Sequence, residues 1–419
     1  MNLRDRLARL RQPALAPWVE PPAPEPVDDF AAPLVDRDGD SDNTSRHWRE
    51  QLARVRPERL RGTTTPRPRR LSEHELAAQL GGTLEAEGLI RVDLAVDLGD
   101  PRGAGPREPL REPGGLPCEP SRANAQWLYL DTETTGLSGG SGTVSFLIGI
   151  ATLAGAQLRL TQWLITRFGA ERQQLERFTA AITADSHLVS YNGKSFDLPL
   201  LATRLRLQGL TGPLPALPHL DLLHPVRRLF GSRWPDCRLG SVEERLLGLR
   251  REHDLPGSEA PQAWFDWLQR GDAERLLGIV AHNRQDLVSL AVAHAVIGDL
   301  DRLEQRDDID LHGLAKWWLD DGDEARAQTL LERHFDRLEP RGLRLHARLQ
   351  QRRGNWSAAV AVWEALAARG CEDSIECLAK YHEHRRRDYA TAYALSRRLG
   401  ANPDSQRRVE RLRRKLECA

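Results

Sequence analysis

Lysine is nearly missing from this chain. Of 60 basic residues only Lys194, Lys316, Lys380 and Lys415 are lysine, and the rest are arginine. A GC-rich coding sequence produces such a bias as readily as function does, so the arginine count assigns nothing by itself. A surplus of charge is also missing. The 60 basic residues meet 60 acidic ones for a formal net charge of +0. That excludes a polyanion binder driven by bulk charge and leaves any nucleic-acid contact to local patches. Long apolar runs are lacking too. The longest apolar-rich stretch, Phe146 to Ala156, is far short of the ~20 residues a bilayer requires, so no membrane span is expected. The opening Met1-Asn-Leu-Arg-Asp-Arg reads as no secretory peptide, having neither an apolar core nor a cleavage signal. Cysteine is sparse: Cys118, Cys237, Cys371, Cys377 and Cys418 form no CxxC and are odd in number. A reduced, cytoplasmic chain is the reading this supports.

What is present is unevenly spread. A length of 419 residues suggests two or three domains. Sixteen of the 26 prolines fall in the first 120 residues. Residues 1–70 read as a low-complexity Pro/Arg-rich tail, largely disordered, with an acidic stretch from Pro26 to Asp42 and a basic one from Arg54 to Arg70. Within it Met1 to Gln12 has the spacing of a short amphipathic helix, with Leu3, Leu7 and Leu10 on one face. Residues 71–124 read as a transitional segment and connector. Leu71 to Leu80 is helical in pattern, Leu89 to Val96 alternates like a strand, and a Pro/Gly-rich stretch follows.

Residues 125–300 change character. Trp127 to Leu130, Thr143 to Leu153 and Gln157 to Ile165 read as strands, Ala170 to Ala184 as a helix, His187 to Tyr191 as a strand and Ser195 to Gln208 as a helix. Three early strands followed by strand–helix alternation predict an α/β domain with a mixed sheet. Residues 311–419 keep only helical periodicity and carry a repeat. Ala327, Ala359 and Ala392 each sit five residues after the start of a polar turn (Gly322-Asp, Gly354-Asn-Trp, Arg387-Asp-Tyr), at spacings of 32 and 33. Small residues at that period, where two helices must approach closely, resemble tetratricopeptide-type hairpins. An ordinary helical bundle is the competing reading.

Three carboxylate blocks carry the chemistry. Asp131-Thr-Glu133-Thr134-Thr-Gly136 follows the strand Trp127 to Leu130, and residues two apart in a strand share a face. Two like charges so close repel unless a cation offsets them, and oxygen donors suit Mg²⁺ or Mn²⁺. A solvated strand end explains D-x-E equally well when it stands alone. The second block is Tyr191-Asn192-Gly-Lys194-Ser-Phe196-Asp197-Leu-Pro199, at a strand-to-helix junction. There Phe196 is expected to anchor the turn in the core while Asp197 faces outward, and a dipole-favoured helix-start aspartate is the alternative. In the third, a spacing of four puts His282 and Asp286 on one helix face beside an apolar stripe. A surface His/Asp pair is the plain alternative. Two look-alikes fail. The glycine a P-loop would need before Gly193-Lys194-Ser195 is Leu188, and the glycine-rich run 139–142 leads into a strand, where no helix dipole backs an anion.

In this order, D-x-E, N-x3-F-D and H-x3-D resemble the three blocks of the DEDD exonucleases of the ribonuclease H-like superfamily. Residues 131–149, Tyr-Asn-Gly-Lys-Ser-Phe-Asp-Leu-Pro-Leu-Leu (191–201), His219-Leu-Asp-Leu-Leu-His-Pro and Asp254-Leu-Pro-Gly are similar to the YprB-type bacterial subfamily. That subfamily often joins a nuclease-like domain to tetratricopeptide-like helices. The resemblance implies an α/β ribonuclease H-like domain, a mixed sheet flanked by helices, followed by an all-α helical-repeat domain. It implies a 3′–5′ exonuclease using two Mg²⁺ or Mn²⁺ ions. Asp131, Glu133, Asp197 and Asp286 would be the ligands: Asp131 on both ions, Glu133 and Asp286 completing one site, Asp197 helping the other. His282 would orient or deprotonate the attacking water. It precedes Asp286 by four residues, the spacing of the family's tyrosine-type branch, whereas the histidine-type branch usually has five.

Asn192, Lys194, Thr134, Arg227 and Arg228 are candidates for substrate contact, with surface turn or solvated helix positions as the alternative. Arg227, Arg228 and Arg233 lie near Trp234 in sequence, a combination suited to single-stranded DNA or RNA. Asp221 either supports the site or caps the following helix. The repeats would serve a protein partner or substrate placement. The rival functions are a structure-specific endoribonuclease of ribonuclease H-like type and a non-catalytic binding scaffold.

Overall fold

A computed structural model of the chain describes residues 70–98, 116–117, 126–136, 142–154, 157–251, 255–400 and 403–417. The segment Met1 to Gln12, the tail up to residue 69, most of the connector after Leu98, the run 139–141 and Asp254 lie outside the described residues. The chain divides into two compact units, with the break between Ile309 and Asp310.

In the first unit, helix α1 (Glu73–Leu80) starts at Ser72. The Ser72 hydroxyl accepts from the Glu75 amide at 3.2 Å, and the Glu75 carboxylate accepts from the Ser72 amide at 2.9 Å. This reciprocal cap satisfies two donors the helix leaves open. Strands β1 (Thr83–Ala86) and β2 (Leu89–Asp97) form a hairpin. They are followed by β3 (Gln126–Thr134), β4 (Ser145–Ala154), β5 (Gln157–Ile165), α2 (Glu171–Ala180), β6 (Ser186–Ser190), α3 (Asp197–Leu207), β7 (His219–Asp221) and α4 (Leu223–Phe230). The four-residue α5 (Leu239–Val242) runs into a π-turn, and α6 (Ala260–Arg270), α7 (Glu274–Gly298) and the single turn α8 (Leu300–Leu303) complete the unit.

All seven strands make one sheet in the order β1-β2-β5-β4-β3-β6-β7. Strands β3, β6 and β7 pair parallel and the other pairs are antiparallel. The mixed sheet expected from the sequence is therefore present. It also takes in the strands of the segment read as transitional, because β2 pairs along its whole length with β5. Helix α7 packs across β3, β4 and β5, and α2 packs on β4 and β5. Fully buried Phe146 stacks on Trp264 of α6 with ring centroids 5.4 Å apart, and the Trp264 indole N–H donates to the Ile165 carbonyl at 2.7 Å. Each such side chain contributes roughly 1.5–3 kcal/mol through burial, and together they clamp α6 to the sheet.

Among its described residues the second unit has helices and no strand: α9 (Leu311–Asp320), α10 (Glu324–Arg333), α11 (Pro340–Arg352), α12 (Trp356–Ala368), α13 (Glu372–Lys380), α14 (Tyr389–Ser396) and α15 (Pro403–Glu417). Each helix packs on the next, and α9 also packs on α11. Ala327, Ala359 and Ala392 are all 0% exposed, which puts the repeating small residues where neighbouring helices press together. Among the described residues no helix is long and apolar enough to cross a membrane.

Candidate active site

The site begins at the C-terminal half of β3, where Asp131 and Glu133 alternate onto one face. Asp131 lies opposite Gly149 of β4, and Gly149 lies opposite Gln162 of β5. A Cβ on Gly149 would sit 2.2 Å from Asn283 Oδ1 and 2.8 Å from Leu287 Cδ1. Only glycine lets α7 settle this closely on the sheet. Asn283 is fully buried. Its amide Nδ2 donates to Asp131 Oδ2 at 2.7 Å and to the Asp131 carbonyl at 3.2 Å. Its Oδ1 accepts from Gln162 Nε2 at 2.7 Å, and that same amide donates to the Val280 carbonyl at 2.9 Å. Since Asn283 lies between His282 and Asp286 on α7, this bridge brings the third block to the first.

The second block arrives through the parallel pairing of β6 with β3, which sets the turn after Ser190 near the acidic end of β3. Asn192 adopts φ +64°. The buried Asp221 carboxylate braces the turn by accepting from the amides of Asn192 at 2.7 Å, Lys194 at 3.0 Å and Leu223 at 3.1 Å. Asp221 thus both supports the turn and satisfies the start of α4. A Cβ on Gly193 would fall 2.3 Å from Ser190 Oγ, so this position also demands glycine. Asp197, the first residue of α3, accepts a hydrogen bond from the Thr132 hydroxyl on β3. Burial pushes its carboxyl up to about 6, against the opposing effect of that hydrogen bond. The expected orientation of this turn is reversed. Phe196 is 55% exposed while Asp197 is turned inward. The Thr132 bond and the braced turn direct the carboxylate to the sheet and leave the ring outside.

In the third block, His282 Nε2 lies 3.5 Å from Asp286 Oδ2. A residue the sequence did not single out, Arg251, holds both. Its guanidinium pairs with Asp286, places Nη1 3.0 Å from His282 Nδ1, and forks onto the buried Glu243 carboxylate at 2.6 and 2.7 Å. The Ser289 hydroxyl, one turn beyond Asp286, donates to Glu243 as well. Burial raises the Asp286 carboxyl, while His282 and Arg251 draw it down. Asp131 is raised well above the usual carboxylate range, first by burial and then by the charges of Asp286, Glu133 and Asp197. The Asn283 bond to Asp131 and the Thr132 bond to Asp197 bring the three blocks together at one end of β3.

The weaker candidates are placed as follows. The Thr134 hydroxyl donates to the Gly136 carbonyl at 2.9 Å and so stabilises the turn after β3. Lys194 is exposed on the braced turn. Arg227 and Arg228 are exposed on α4, and the charge of Arg227 is felt at Tyr191. Trp234 is not a stacking platform for a base. It is buried on Phe230, with ring centroids 4.3 Å apart, and donates its indole N–H to Asp308 at 3.0 Å.

The donor set fits a hard divalent cation. It consists of carboxylate oxygens, largely buried, whose mutual charge is unfavourable without a positive partner. The acids adjoin without enclosing an ion: among the described residues no three His, Cys, Asp or Glu side chains are grouped closely enough to hold one. Their present partners account for this, since Asp286 faces Arg251, Asp197 faces Thr132 and Asp131 faces Asn283.

This mixed sheet, crossed by a long helix that carries the last acid to the first strand, has the architecture of a ribonuclease H-like domain. A family model described as RNase_H_2, of the RNase_H superfamily, matches residues 128–294. The uncharacterized protein YprB of Bacillus subtilis (strain 168) is 32% identical over 281 residues, covering 63% of this chain and 66% of that protein. The family B DNA polymerase from the hyperthermophilic archaeon Pyrobaculum calidifontis aligns over 56% of this chain and 30% of its own, at 14% identity and a TM-score of 0.34, too distant a likeness to bear on function. Residues 128–294 thus form a ribonuclease H-like domain, and the chain is similar to YprB over 66% of that protein's length.

Proposed function

We propose that the chain is a divalent-metal-dependent nuclease that hydrolyses phosphodiester bonds of single-stranded DNA or RNA from the 3′ end. The observation that supports this most is the Asn283 bridge, which ties the helix of His282 and Asp286 to Asp131 on β3. In this reading Asp131, Glu133 and Asp286 would hold one Mg²⁺ or Mn²⁺ ion, and Asp131 and Asp197 would hold the other. Such a pair supplies an activated water and stabilises the departing 3′-oxygen.

The chain's own groups do the rest. Arginine only donates, so whenever the His282 ring is neutral its Nδ1 accepts from Arg251 and its proton sits on Nε2. A donor there orients a water or a phosphate oxygen, and the ring is not a base while that bond stands. Lys194, Asn192 and the exposed Phe196 ring belong to the turn that leads into Asp197, and in this reading the ammonium would meet a phosphate and the flat ring a base. Arg227 and Arg228 add positive charge along α4. The helices from α9 onward are read as tetratricopeptide-like repeats.

The deciding experiment uses DNA and RNA strands labelled at either end, and closed circles, with Mg²⁺ or Mn²⁺. Loss of the 3′ label before any internal product, with circles left whole, is expected. Cutting of circles would move the assignment to an endonuclease, and absence of ion-dependent cleavage of every strand would overturn it. A second outcome concerns Arg251, which neutralises the carboxylate an ion would claim. Arg251→Gln keeps donors for Glu243 but drops the charge, and should tighten Mn²⁺ binding about tenfold by titration calorimetry, ~1.4 kcal/mol. An unchanged dissociation constant would show that the guanidinium does not compete.

A further inference from the structure

We infer that the face built by α9, α11, the start of α12, and α13 with the π-turn Tyr381–Arg386 that follows it is a binding groove for single-stranded nucleic acid. This rests on the nucleolytic reading and adds to it a hold on the substrate by residues outside the cleaving acids. Two adjoining concavities, of about 490 and about 290 Å³, share Arg348. The smaller is lined by Lys316 of α9 and by Arg341, Arg344 and Arg348 of α11. Spacings of three and four put those arginines on one helix face. The larger adds Lys380 and Arg385, so six cationic side chains face three carboxylates: Asp320, Asp373 and Glu376. Two of the three are already engaged, Asp373 by Arg344 and Glu376 by Lys380 at 2.8 Å. Residues 310–419 hold 22 basic side chains against 17 acidic ones, an excess of five in a chain whose total is zero. The neutrality of the whole therefore conceals a positive local surface.

The second feature is aromatic. The Trp356 and Tyr381 rings line the larger concavity and stack at 5.7 Å with a 26° tilt, and the Arg385 guanidinium sits 5.1 Å from the Trp356 ring centre. Both residues are half-buried, so each keeps part of its surface open to solvent. A pinned aromatic pair beside arginines is how proteins hold unpaired bases and their phosphates together: stacking takes any base, and the cations follow the backbone. An acidic peptide would satisfy the cations and leave the ring pair unused.

The test uses the full chain in EDTA, which prevents cleavage, and fluorescein-labelled oligo(dT) and oligo(rU) of twenty nucleotides, read by anisotropy. Arg348→Glu with Arg385→Glu, both at exposed positions, should weaken binding of both strands at least tenfold. It should also reduce the slope of log affinity against log salt by about 1.4, two phosphates at ~0.7 each. Trp356→Leu should weaken binding about 5- to 100-fold with the slope unchanged. Unfolding midpoints confirm that each variant is folded. Affinities within twofold of wild type in folded variants would overturn the groove. So would equal displacement of the oligonucleotides by a poly-glutamate peptide, which would give the face to an acidic partner. Asp131-dependent cleavage in Mn²⁺ is scored separately on the same strands, so loss of the nuclease reading and loss of the groove give different results.

Discussion

Asp131→Asn should lower the rate of ion-dependent cleavage by about 10³-fold or more, ~4 kcal/mol of transition-state stabilisation, without harming the fold. Asp131 is the acid that Asn283 ties to α7, and its carboxyl feels Asp286, Glu133 and Asp197 together. Asparagine keeps an oxygen for the Asn283 amide at almost the same place, so the bridge that sets α7 survives. What disappears is one negative charge, and with it the strongest candidate for a bridging ligand. Stability should move the opposite way. The folded carboxyl holds its proton more tightly than the unfolded one, so the ion-free fold loses stability as pH rises from about 3.9 to the raised folded value, and stays lower above it. Replacing the charge with an amide removes that cost. In EDTA at neutral pH the variant should melt at or above the wild-type temperature. Added Mn²⁺ should then raise the wild-type midpoint and leave the variant's almost unmoved. Wild-type cleavage by Asp131→Asn would contradict the assignment of this acid.

Glu171→Ala should destabilise the α/β unit by about 3–5 kcal/mol, a large part of the ~5–15 kcal/mol that holds a domain together. The Glu171 carboxylate takes a fork from Arg204 at 2.5 and 2.6 Å and a further bond from Gln208 at 2.6 Å, and both charged side chains are buried. They join the start of α2 to the last turn of α3, the helix that begins with Asp197. Alanine would leave the guanidinium buried without that carboxylate. Replacing both partners with apolar residues of similar volume, Glu171→Leu with Arg204→Met, should recover most of the loss, because neither charge then needs a partner. Urea unfolding of the single and double variants measures both effects. A single-variant loss under about 1 kcal/mol, the range of an exposed pair, would mean that solvent reaches the guanidinium.

Local pattern made much of this fold legible. Alternation marked β5 at its observed ends, and the run around Phe146 marked β4, because a strand's period depends only on its own residues. The repeat of small residues marked the hairpin contacts at Ala327, Ala359 and Ala392 for the same reason. Pairing was not legible. Leu89 to Val96 was readable as a strand, yet its partner β5 lies some 70 residues away with a connector between, and no local signal names it. Strand β7 has three residues, too few to show a period. In the site, Asp131, Glu133, Asp197, His282 and Asp286 stood out as acids or an imidazole at telling spacings. Asn283 did not, although its place on the buried stripe of α7, one residue after His282, was a signal that a polar side chain there needed a partner. Arg251 is one arginine among many, in a loop, and only the folded chain shows what it touches. Phe196 was read the wrong way round because an aromatic beside charged residues looks the same in sequence whether its ring turns in or out, as the buried Trp234 also shows.

The union of β2 with β5 has a practical consequence for anyone trimming this chain to a minimal catalytic fragment. A fragment begun at Gln126 would strip nine consecutive backbone partners from β5 and turn an interior strand into a bare border. Such a border invites a second copy to add its own strand, so the fragment should self-associate, while one begun ahead of Ser72 would retain its flanking hairpin.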